Sequence, residues 1–292
     1  MQILFHIGVH CTGHDTLVRS LLKNRDMLAH AGVAVPGPGR YRRTLGEVLL
    51  KLRGARATPE TQELLLDTLL DDDATTRLIL SNESFICMPT RVLDGGSLYR
   101  KIDKSSWLRN SFPGAEVEFA VSLRNLATFV PALYETLGGD TPENQNFMQG
   151  ARPEYLSWFN VIEALYRANP GSRILVWCYE DAPILWPEIM RALSGLPPDT
   201  RLEGANDLAR RVLTQEGSRA MRAYMDEAPP QSELERREIV ADFMAGFAEE
   251  DQMEQEITLP GWSEEIMDKL TEAYDRDVER ISKLPNVQMM LP

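Results

Sequence analysis

The stretch Ile3-Leu-Phe-His-Ile-Gly-Val-His-Cys-Thr-Gly-His-Asp-Thr16 gives the strongest indication of the fold. A short apolar run ends at Gly8, a small polar loop continues to Gly13, and an amphipathic helix begins near Asp15. In a strand, loop and helix of this order, successive backbone N–H groups and the helix N-terminus converge on one point and bind an anion there. We therefore expect a phosphate-binding loop with contacts from Gly8, His10, Cys11, Thr12, Gly13, His14, Asp15 and Thr16.

The loop departs from the common nucleotide-binding pattern in its charge. Gly8 and Gly13 fit the frame G-x-x-x-x-G, but His14 and Asp15 occupy the positions of the lysine and the serine or threonine that complete it. The cation that this pattern directs at the phosphates is therefore missing. A protonated His10 or His14, exposed at the end of the strand, would replace it in part, because a bound phosphate favours the charged imidazole.

Apolar runs alternate with helical patterns along the first two thirds of the chain. Predicted strands cover residues 3–7, 33–35, 78–80, 116–123 and 174–179, and predicted helices cover residues 16–31, 44–53, 59–70, 127–137 and 155–168. This alternation is typical of an α/β fold in which a parallel sheet lies between two layers of helices. The carboxyl ends of the strands then bring the loop, Glu83, Arg124 and Glu180 to one edge, where such sheets bind ligands.

The C-terminal segment has a different pattern, because it is helical and acidic from about residue 204 onward. Its last helix begins after Ser263, which is a suitable N-cap residue. The apolar face of that helix consists of Ile266, Leu270, Tyr274, Val278 and Ile281. We expect an α/β domain over residues 1–203 and a helical cap over residues 204–292 that packs on the same domain.

Composition excludes several classes of protein. The 292 residues carry a formal net charge of −13, which argues against binding to nucleic acid or to an anionic membrane, since both require a basic face. The three cysteines lie far apart without metal-ligand spacing, which predicts a reducing compartment and no metal site. Because the chain shows neither a signal-peptide pattern nor an apolar run of membrane-spanning length, we expect a cytoplasmic protein with no membrane insertion.

The first loop resembles that of the sulfotransferases that use 3′-phosphoadenosine 5′-phosphosulfate (PAPS). Bacterial members of this family begin roughly His-Ile-Gly-x-His-Lys-Thr-Gly-Thr-Thr, and residues 6–15 are similar to this motif. The segments Leu17–Arg25 and Gly32–Pro36 also resemble such proteins. Further similar features are, in chain order, a strand followed by Ser81 and Glu83, a strand followed by Arg124, and a strand followed by Tyr179-Glu180-Asp181.

The resemblance implies a three-layer sheet of the P-loop and sulfotransferase type, PAPS as co-substrate, and a hydroxyl of a small molecule or glycan as sulfuryl acceptor. It implies that Arg124 begins the segment that binds the 3′-phosphate and that Glu83 deprotonates the acceptor. Two family residues are absent: Cys11 replaces the lysine that contacts the 5′-phosphosulfate, and Ala132 replaces the serine eight residues after the arginine. Thr128, one helical turn after Arg124, is a substitute donor for the 3′-phosphate.

The same residues leave three hypotheses open. Loss of the lysine would cost on the order of 3 kcal/mol, or about 100-fold in rate, by analogy with a removed oxyanion-hole donor. The chain is then either a weakened sulfotransferase or a non-catalytic protein of the same fold that binds a nucleotide or a protein partner. The third hypothesis is a redox or transfer protein that uses Cys11, because a helix N-terminus lowers the pKa of a thiol. No motif identifies the acceptor or the oligomeric state.

A basic cluster at residues 40–43, Arg-Tyr-Arg-Arg, follows a loop rich in glycine and proline. Such a cluster either lines the entrance of a nucleotide site or is simply solvated. We expect the solvated loop, because charged runs in loops usually face water.

Overall fold

A computed structural model describes residues 1–13, 15–72, 74–139, 141, 144, 152–248, 259 and 261–292. Its strands are β1 (Gln2–His6), β2 (Val33–Ala34), β3 (Arg77–Ser81), β4 (Glu116–Leu123), β5 (Ile174–Cys178) and β6 (Val287–Met290). They form one six-stranded sheet in the order β2-β3-β1-β4-β5-β6, in which every neighbouring pair is parallel. The predicted α/β fold with a parallel sheet is therefore confirmed.

Helices connect the strands and cover the sheet. They are α1 (Thr16–Lys23), α2 (Arg25–His30), α3 (Pro38–Leu52), α4 (Pro59–Leu69), α5 (Ser105–Asn110), α6 (Leu126–Thr136), α7 (Trp158–Ala168), α8 (Ala182–Ser194), α9 (Ala209–Val212), α10 (Gln215–Glu227), α11 (Glu233–Phe247) and α12 (Glu264–Ile281). Short polar side chains accept first-turn N–H groups and so fix where five of them begin, namely Thr58, Asn125, Ser157, Thr214 and Ser232. Single 3₁₀ turns cover Pro89–Arg91, Asp94–Gly96, Ile102–Lys104 and Pro153–Tyr155.

The strands bury alternate residues in two apolar cores on opposite faces of the sheet. Ile3 and Phe5 of β1 belong to the core that also contains residues of α3 to α7 and α12. Leu4 belongs to the other core, with residues of α1, α2 and α8. Because successive side chains of a strand point to opposite faces, one apolar run supplies both cores.

The crossover connections diverge at the centre of the sheet. The chain leaves β1 toward β2 on one side and leaves β4 toward β5 on the other, although β1 and β4 are neighbours. Open α/β sheets bind ligands beyond the carboxyl ends of the strands at such a point. The loop after β1 and Arg124 after β4 both lie there.

The C-terminal segment departs in part from its predicted helical character. The sequence pattern predicts only helices after residue 204, but β6 pairs in parallel with β5 and extends the sheet. β6 has four residues, of which three are half-buried and one is exposed, so no apolar run marks it in the sequence. The last helix follows the prediction, because Leu270, Tyr274 and Ile281 of α12 are buried.

The basic cluster at residues 40–43 belongs to α3 and not to a solvated loop. Tyr41 is 1% exposed, and its hydroxyl donates to the carbonyl oxygen of Ser81 at 2.6 Å. Arg42 donates to the same carbonyl at 3.0 Å and forms an ion pair with Asp15. The expectation of solvation is wrong for these two residues because α3 begins at Pro38, six positions before the predicted start, and so covers the end of β3.

Among the described helices, none combines the length and the apolar composition that crossing a membrane requires.

Candidate functional site

The first loop turns sharply between β1 and α1. Gly8 and Gly13 have φ angles of 108° and 99°, which glycine adopts without steric cost. A Cβ atom added to Gly8 would lie 3.3 Å from the Cα atom of Glu83, so a larger residue would force the two segments apart. Gly8 therefore allows the loop to lie directly against Glu83, the predicted base.

Two threonines of the loop brace its carbonyl groups. Thr12 Oγ1 donates to the carbonyl oxygen of Val9 at 2.7 Å, and Thr16 Oγ1 donates to that of Gly13 at 2.6 Å. Both hydroxyls lie three residues after their acceptors, so each closes one turn of the loop. The bonds fix the shape of the loop immediately before the first turn of α1.

Two arginines from distant segments reach this turn. Arg42 of α3 forms an ion pair with Asp15, the N-cap residue of α1, and Arg211 of α9 donates from Nη1 to Thr16 Oγ1. The loop has no lysine of its own, yet guanidinium groups flank the N-terminus of α1. A guanidinium suits an anion site, because its planar set of donors matches phosphate and sulfate oxygens.

His10 does not occupy the exposed position that we expect for it. It is 2% exposed, and its ring stacks on Tyr99 with the ring centroids 5.9 Å apart. Its backbone N–H donates to the Tyr99 hydroxyl at 2.9 Å, and its Nδ1 lies 2.7 Å from the same oxygen. Burial contradicts the predicted exposure, and the catalytic role of His10 stays a prediction. His14, its predicted alternative, lies outside the described residues.

Arg124 lies between the loop and α6. Its Nη1 donates to the carbonyl oxygen of Cys11 at 2.8 Å, and its Nε donates to Thr128 Oγ1 at 3.1 Å. The guanidinium carbon lies 5.2 Å from the ring centroid of Tyr179, within range of a cation–π interaction. Trp158 Nε1 donates to the Arg124 carbonyl at 2.8 Å and holds the backbone. Arg124 thus contacts two other predicted residues, Cys11 and Thr128, at the end of β4.

A cavity of about 500 Å³ opens beside Arg124, and we call it the Arg124 cavity. Its polar lining comes from the predicted edge of the sheet, and its apolar lining comes from α8, α9 and α11. The lining residues include Arg124, Thr128, Tyr179 and Glu180, together with Pro183, Leu208, Val212 and Met244. A cationic group in the lining of a mostly apolar cleft suits a ligand that joins an anion to a flat ring system.

A second cavity, of about 180 Å³, lies on the other side of the loop, and we call it the Glu83 cavity. Its lining consists of His6, Val9, Thr12, Asp15, Arg42, Ser81, Asn82, Glu83 and Ser84. Glu83 therefore lines a cavity at the edge of the sheet, where a general base must lie to reach a substrate. The loop separates the two cavities, since Cys11 contacts Arg124 while Thr12 and Asp15 line the Glu83 cavity.

His6, the last residue of β1, has an unusual environment in the Glu83 cavity. Its ring stacks on Trp177 with the centroids 5.6 Å apart, and its Nδ1 lies 2.8 Å from Ser81 Oγ. Burial, and secondarily the charge of Arg42, lower the pKa of His6 to about 4. His6 is therefore neutral at pH 7. Its Nε2 is buried and has no hydrogen-bond partner within the described part of the chain.

Cys11 does not have the character of a reactive thiolate. Burial raises its pKa, although the Thr136 hydroxyl 3.5 Å from Sγ and the charge of Arg124 oppose the shift, and Glu83 adds to it. The thiol is therefore protonated near pH 7, whereas nucleophilic cysteines have a lowered pKa. Its environment gives no support to the redox hypothesis.

Sequence reasoning missed Tyr99, Arg42 and Arg211 as residues of this site. Tyr99 and Arg211 lie far along the chain from the loop that they contact, so no local spacing indicates them. Arg42 belongs to the cluster that we expect to be solvated, and its basic character is the one signal that marks it. Arg211 likewise stands beside Arg210 in an acidic segment.

Comparisons of the chain with models of known protein families, with curated proteins and with solved structures find no significant match. The resemblance to the sulfotransferases therefore depends on the quoted residues. Within the described residues, no group of three or more histidine, cysteine, aspartate or glutamate side chains is placed to hold a metal ion.

Proposed function

We propose that this chain binds PAPS, or its product adenosine 3′,5′-bisphosphate, across the first loop and transfers the sulfuryl group to a hydroxyl acceptor. The observation that carries the proposal is the contact of Arg124 with both Cys11 of the loop and Thr128, which also lines the Arg124 cavity. The loop and Arg124 resemble two separate segments of the family. They lie more than a hundred residues apart in the chain, and yet they are in contact.

The Arg124 cavity supports the nucleotide part of the proposal. In this arrangement Arg124 and Thr128 bind the 3′-phosphate, because a guanidinium and a neighbouring hydroxyl donate to phosphate oxygens. The base lies against the apolar wall that Leu208, Val212 and Met244 provide. The 5′-phosphosulfate then reaches the N-terminus of α1, where free backbone N–H groups and the helix dipole favour an anion.

Arg211 supports the same arrangement by supplying a cation near the loop. The family lysine is absent at Cys11, but Arg211 reaches the hydroxyl of Thr16 in the first turn of α1. Charge on the leaving phosphate develops during sulfuryl transfer, and a guanidinium at this turn offsets it. In this arrangement an arginine of α9 takes the role that the family gives to a lysine of the loop.

The Glu83 cavity supports the acceptor part. An acceptor hydroxyl there attacks the sulfur atom, the new O–S bond forms, and the bond from sulfur to the bridging phosphate oxygen breaks. Glu83 takes the hydroxyl proton, and adenosine 3′,5′-bisphosphate leaves with the electron pair of the broken bond. Asp15 at the N-terminus of α1 also lines the Glu83 cavity, so a sulfuryl group bound at that N-terminus lies beside the acceptor hydroxyl. Holding the reacting groups in line is the main contribution that an enzyme makes to such a transfer.

A second candidate function is a non-catalytic nucleotide-binding protein of the same fold. The observation that favours it is the neutral, half-buried Cys11 in place of the lysine. Both candidates bind the nucleotide, and they differ only in sulfuryl transfer.

Calorimetry with adenosine 3′,5′-bisphosphate tests the nucleotide site. We expect Arg124→Gln to weaken binding about 10- to 100-fold, because hydrogen bonds to charged groups contribute about 1.5–3 kcal/mol. The matched control is Arg19→Gln, an exposed arginine of α1, for which we expect less than about 2-fold. Adenosine 5′-monophosphate, which lacks the 3′-phosphate, should bind wild type more weakly and should lose little affinity on Arg124→Gln.

Two results would contradict the proposal. Absence of binding by wild-type protein at millimolar nucleotide rejects both candidates. Equal losses for Arg124→Gln and Arg19→Gln reject the assigned site. Where the nucleotide binds as expected, release of adenosine 3′,5′-bisphosphate from PAPS in the presence of hydroxyl acceptors separates the sulfotransferase from the non-catalytic protein.

A further inference from the structure

We infer that Tyr99 is a positioning residue, which fixes His10 in the tautomer with its proton on Nε2 and thereby makes the Ser84 hydroxyl a hydrogen-bond donor into the Glu83 cavity. The tautomer follows from the contacts between Tyr99 and His10 alone. The group that Ser84 binds rests on the proposed function, and it is an oxygen of the transferring sulfuryl group.

The Tyr99 hydroxyl contacts His10 in two ways. It accepts the backbone N–H of His10 at 2.9 Å, and it lies 2.7 Å from Nδ1 of the ring. Tyr99 is 2% exposed, and burial raises its pKa well above the usual value, so the hydroxyl keeps its proton at pH 7. A buried hydroxyl proton requires an acceptor, and His10 Nδ1 is the one that the described residues provide.

These contacts select one protonation state of His10. Nδ1 accepts the Tyr99 proton and carries none of its own, so the proton of the neutral ring is on Nε2. The other tautomer and the doubly protonated ring both direct an Nδ1 proton at the Tyr99 hydroxyl, whose own proton is then buried without an acceptor. In the selected state both ring nitrogens are committed, and His10 does not act as a general base.

The backbone and the ring of Tyr99 hold its hydroxyl in this place. Its φ of 43° lies in the left-handed region, which a bulky residue seldom adopts, and its N–H donates to the carbonyl oxygen of Val92 at 2.8 Å. The ring stacks on His10 and lies beside Trp158, with ring centroids 5.9 and 6.0 Å away. A strained residue of this kind persists where the surrounding contacts over-determine it, and such residues cluster at functional sites.

Ser84 continues the chain of hydrogen bonds from His10. Its Oγ lies 3.4 Å from His10 Nε2, and its backbone N–H donates to Asn82 Oδ1 at 3.0 Å. Because Nε2 donates, the Ser84 oxygen accepts, and its own proton is directed away from the ring. Ser84 lines the Glu83 cavity, and no hydrogen bond to another described residue uses this proton. The hydroxyl therefore offers a donor to a ligand in the cavity.

A fixed donor selects a ligand group that accepts. Asp15, the N-cap residue of α1, lines the same cavity as Ser84, so a sulfuryl group bound at that N-terminus lies in the space that Ser84 borders. Sulfuryl oxygens accept hydrogen bonds and have no proton to donate. In the other tautomer Ser84 would donate to Nε2 and present only lone pairs, which repel these oxygens. The tautomer of His10 thus decides whether Ser84 orients the group for transfer.

The ¹⁵N resonances of the His10 imidazole test the tautomer without a ligand. Spectra of protein labelled with ¹⁵N in its four histidines are recorded at pH 7, and the signal that is absent from His10→Gln identifies His10. Where that variant does not fold, His6→Gln, His14→Gln and His30→Gln identify the signal by elimination. We expect Nδ1 at the chemical shift of an unprotonated nitrogen and Nε2 at that of a protonated one.

Tyr99→Phe removes the hydroxyl and keeps the ring. We expect the His10 Nδ1 and Nε2 shifts to move in opposite directions toward the other tautomer, because Nδ1 loses its donor. A role of Tyr99 in packing alone would leave both shifts unchanged. The matched control is Tyr166→Phe, which removes the hydroxyl of a half-buried tyrosine on α7 and should not move the His10 resonances.

Ser84→Ala tests the donor in the cavity. We expect release of adenosine 3′,5′-bisphosphate from PAPS in the presence of hydroxyl acceptors to slow about 3- to 10-fold, the range of a neutral hydrogen bond. Affinity for adenosine 3′,5′-bisphosphate, which lacks the sulfuryl group, should change by less than about 2-fold. Ser84→Thr keeps the hydroxyl and should restore most of the rate. Ser106→Ala, at an exposed site, is the matched control and should leave the rate unchanged.

A protonated Nδ1 in the wild-type protein at pH 7 overturns the inference, and so do His10 shifts that are unchanged by Tyr99→Phe. An unchanged rate for Ser84→Ala, or a rate that falls only as far as nucleotide affinity falls, rejects the sulfuryl oxygen as the group that Ser84 binds. Failure of the proposed function appears separately, as absence of adenosine 3′,5′-bisphosphate binding in calorimetry. The expected tautomer without nucleotide binding would support the role of Tyr99 and reject the ligand assigned to Ser84.

Discussion

Arg77 and Arg124 lie at opposite ends of the same parallel sheet and have opposite surroundings. Arg77, at the start of β3, is 4% exposed; it donates to the carbonyl oxygen of Leu193 at 2.7 Å and to Gln2 Oε1 at 2.6 Å, and it forms an ion pair with Glu118. Arg124, after β4, is half-buried, lies over an aromatic ring and lines a cavity. One guanidinium is enclosed by protein groups, and the other borders open space.

The difference separates an arginine that is enclosed by protein groups from one that also lines a cavity. The donors of Arg77 are directed at fixed protein acceptors in a dry environment, so no ligand reaches them. At the carboxyl end, Arg124 and Arg42 contact carbonyls and a carboxylate but also line the two cavities. Burial of a charge therefore does not by itself mark a site, and the adjoining cavity is the distinguishing feature.

Arg77→Met is the variant for which we expect the largest effect, and it tests the enclosed arginine at the start of β3. We expect a loss of about 3–5 kcal/mol in the free energy of unfolding, because the change leaves the buried Glu118 carboxylate without the guanidinium that donates to it. Urea unfolding measures this loss. The control is Arg173→Met, since Arg173 is 42% exposed and lies 3.9 Å from the same carboxylate, and we expect less than about 1 kcal/mol. Equal losses for the two variants would show that Glu118 does not depend on the enclosed guanidinium.

The pH dependence of the free energy of unfolding tests the burial of His6, which lies at the same end of the sheet as Arg124. The pKa of His6 is lowered from 6.5 to about 4 in the folded protein. Between these values the unfolded chain binds a proton that the folded protein does not, so stability falls as the pH falls through this window. Each unit of pKa difference corresponds to about 1.4 kcal/mol, so a change from pH 7.5 to pH 5 should cost about 2 kcal/mol.

Urea unfolding at the two pH values measures this effect. The variant His6→Gln should reduce the dependence on pH, and the variant His30→Gln, which changes an exposed histidine, should leave it intact. An NMR titration of the His6 imidazole provides an independent check where His6→Gln does not fold. A midpoint near 6.5 would show that His6 is hydrated in the native protein.

Cys11→Lys sharpens the comparison by adding a lysine to the loop between β1 and α1, which has none of its own. We expect affinity for adenosine 3′,5′-bisphosphate to rise about 10-fold, because one added charge-assisted hydrogen bond contributes about 1.5 kcal/mol. Cys11 already has a φ of 59°, so lysine brings no new backbone strain. Cys87→Lys, which adds the same charge at another half-buried cysteine, is the control and should change affinity by less than about 2-fold. An unchanged or lower affinity of Cys11→Lys would contradict the assigned position of the 5′-phosphosulfate.

The smallest expected effect comes from the adjacent arginines of α9. Arg211→Gln should weaken adenosine 3′,5′-bisphosphate binding about 5-fold, since a partly exposed charge contributes up to about 1 kcal/mol. Arg210→Gln should change it by less than about 2-fold, because Arg210 contacts Ser218 and not the loop. Both variants have the same net charge, so a difference between them in calorimetry measures the contact with Thr16 alone. Equal affinities of the two variants would show that Arg211 does not contribute to nucleotide binding.

Local pattern in the sequence was sufficient for the parallel α/β sheet, for the loop at residues 8–16 and for the apolar face of α12. These features depend on periodicity and on glycine positions, which the chain carries within a few neighbouring residues. Thr128 was named because it lies four residues after Arg124, and the two side chains do meet, although Arg124 precedes the helix that begins at Leu126. The placement of Glu83 at the ligand edge followed from strand direction.

The tertiary structure alone decided that Tyr99 buries His10, that Arg42 and Arg211 reach the first turn of α1, and that β6 joins the sheet. Each of these contacts joins segments far apart in the chain, and their meeting depends on how the crossovers pack and not on any local spacing. The charges around the loop therefore depend on how distant segments pack at the carboxyl ends of the strands. The sequence determined where the loop between β1 and α1 lies, and the fold determined which cations surround it.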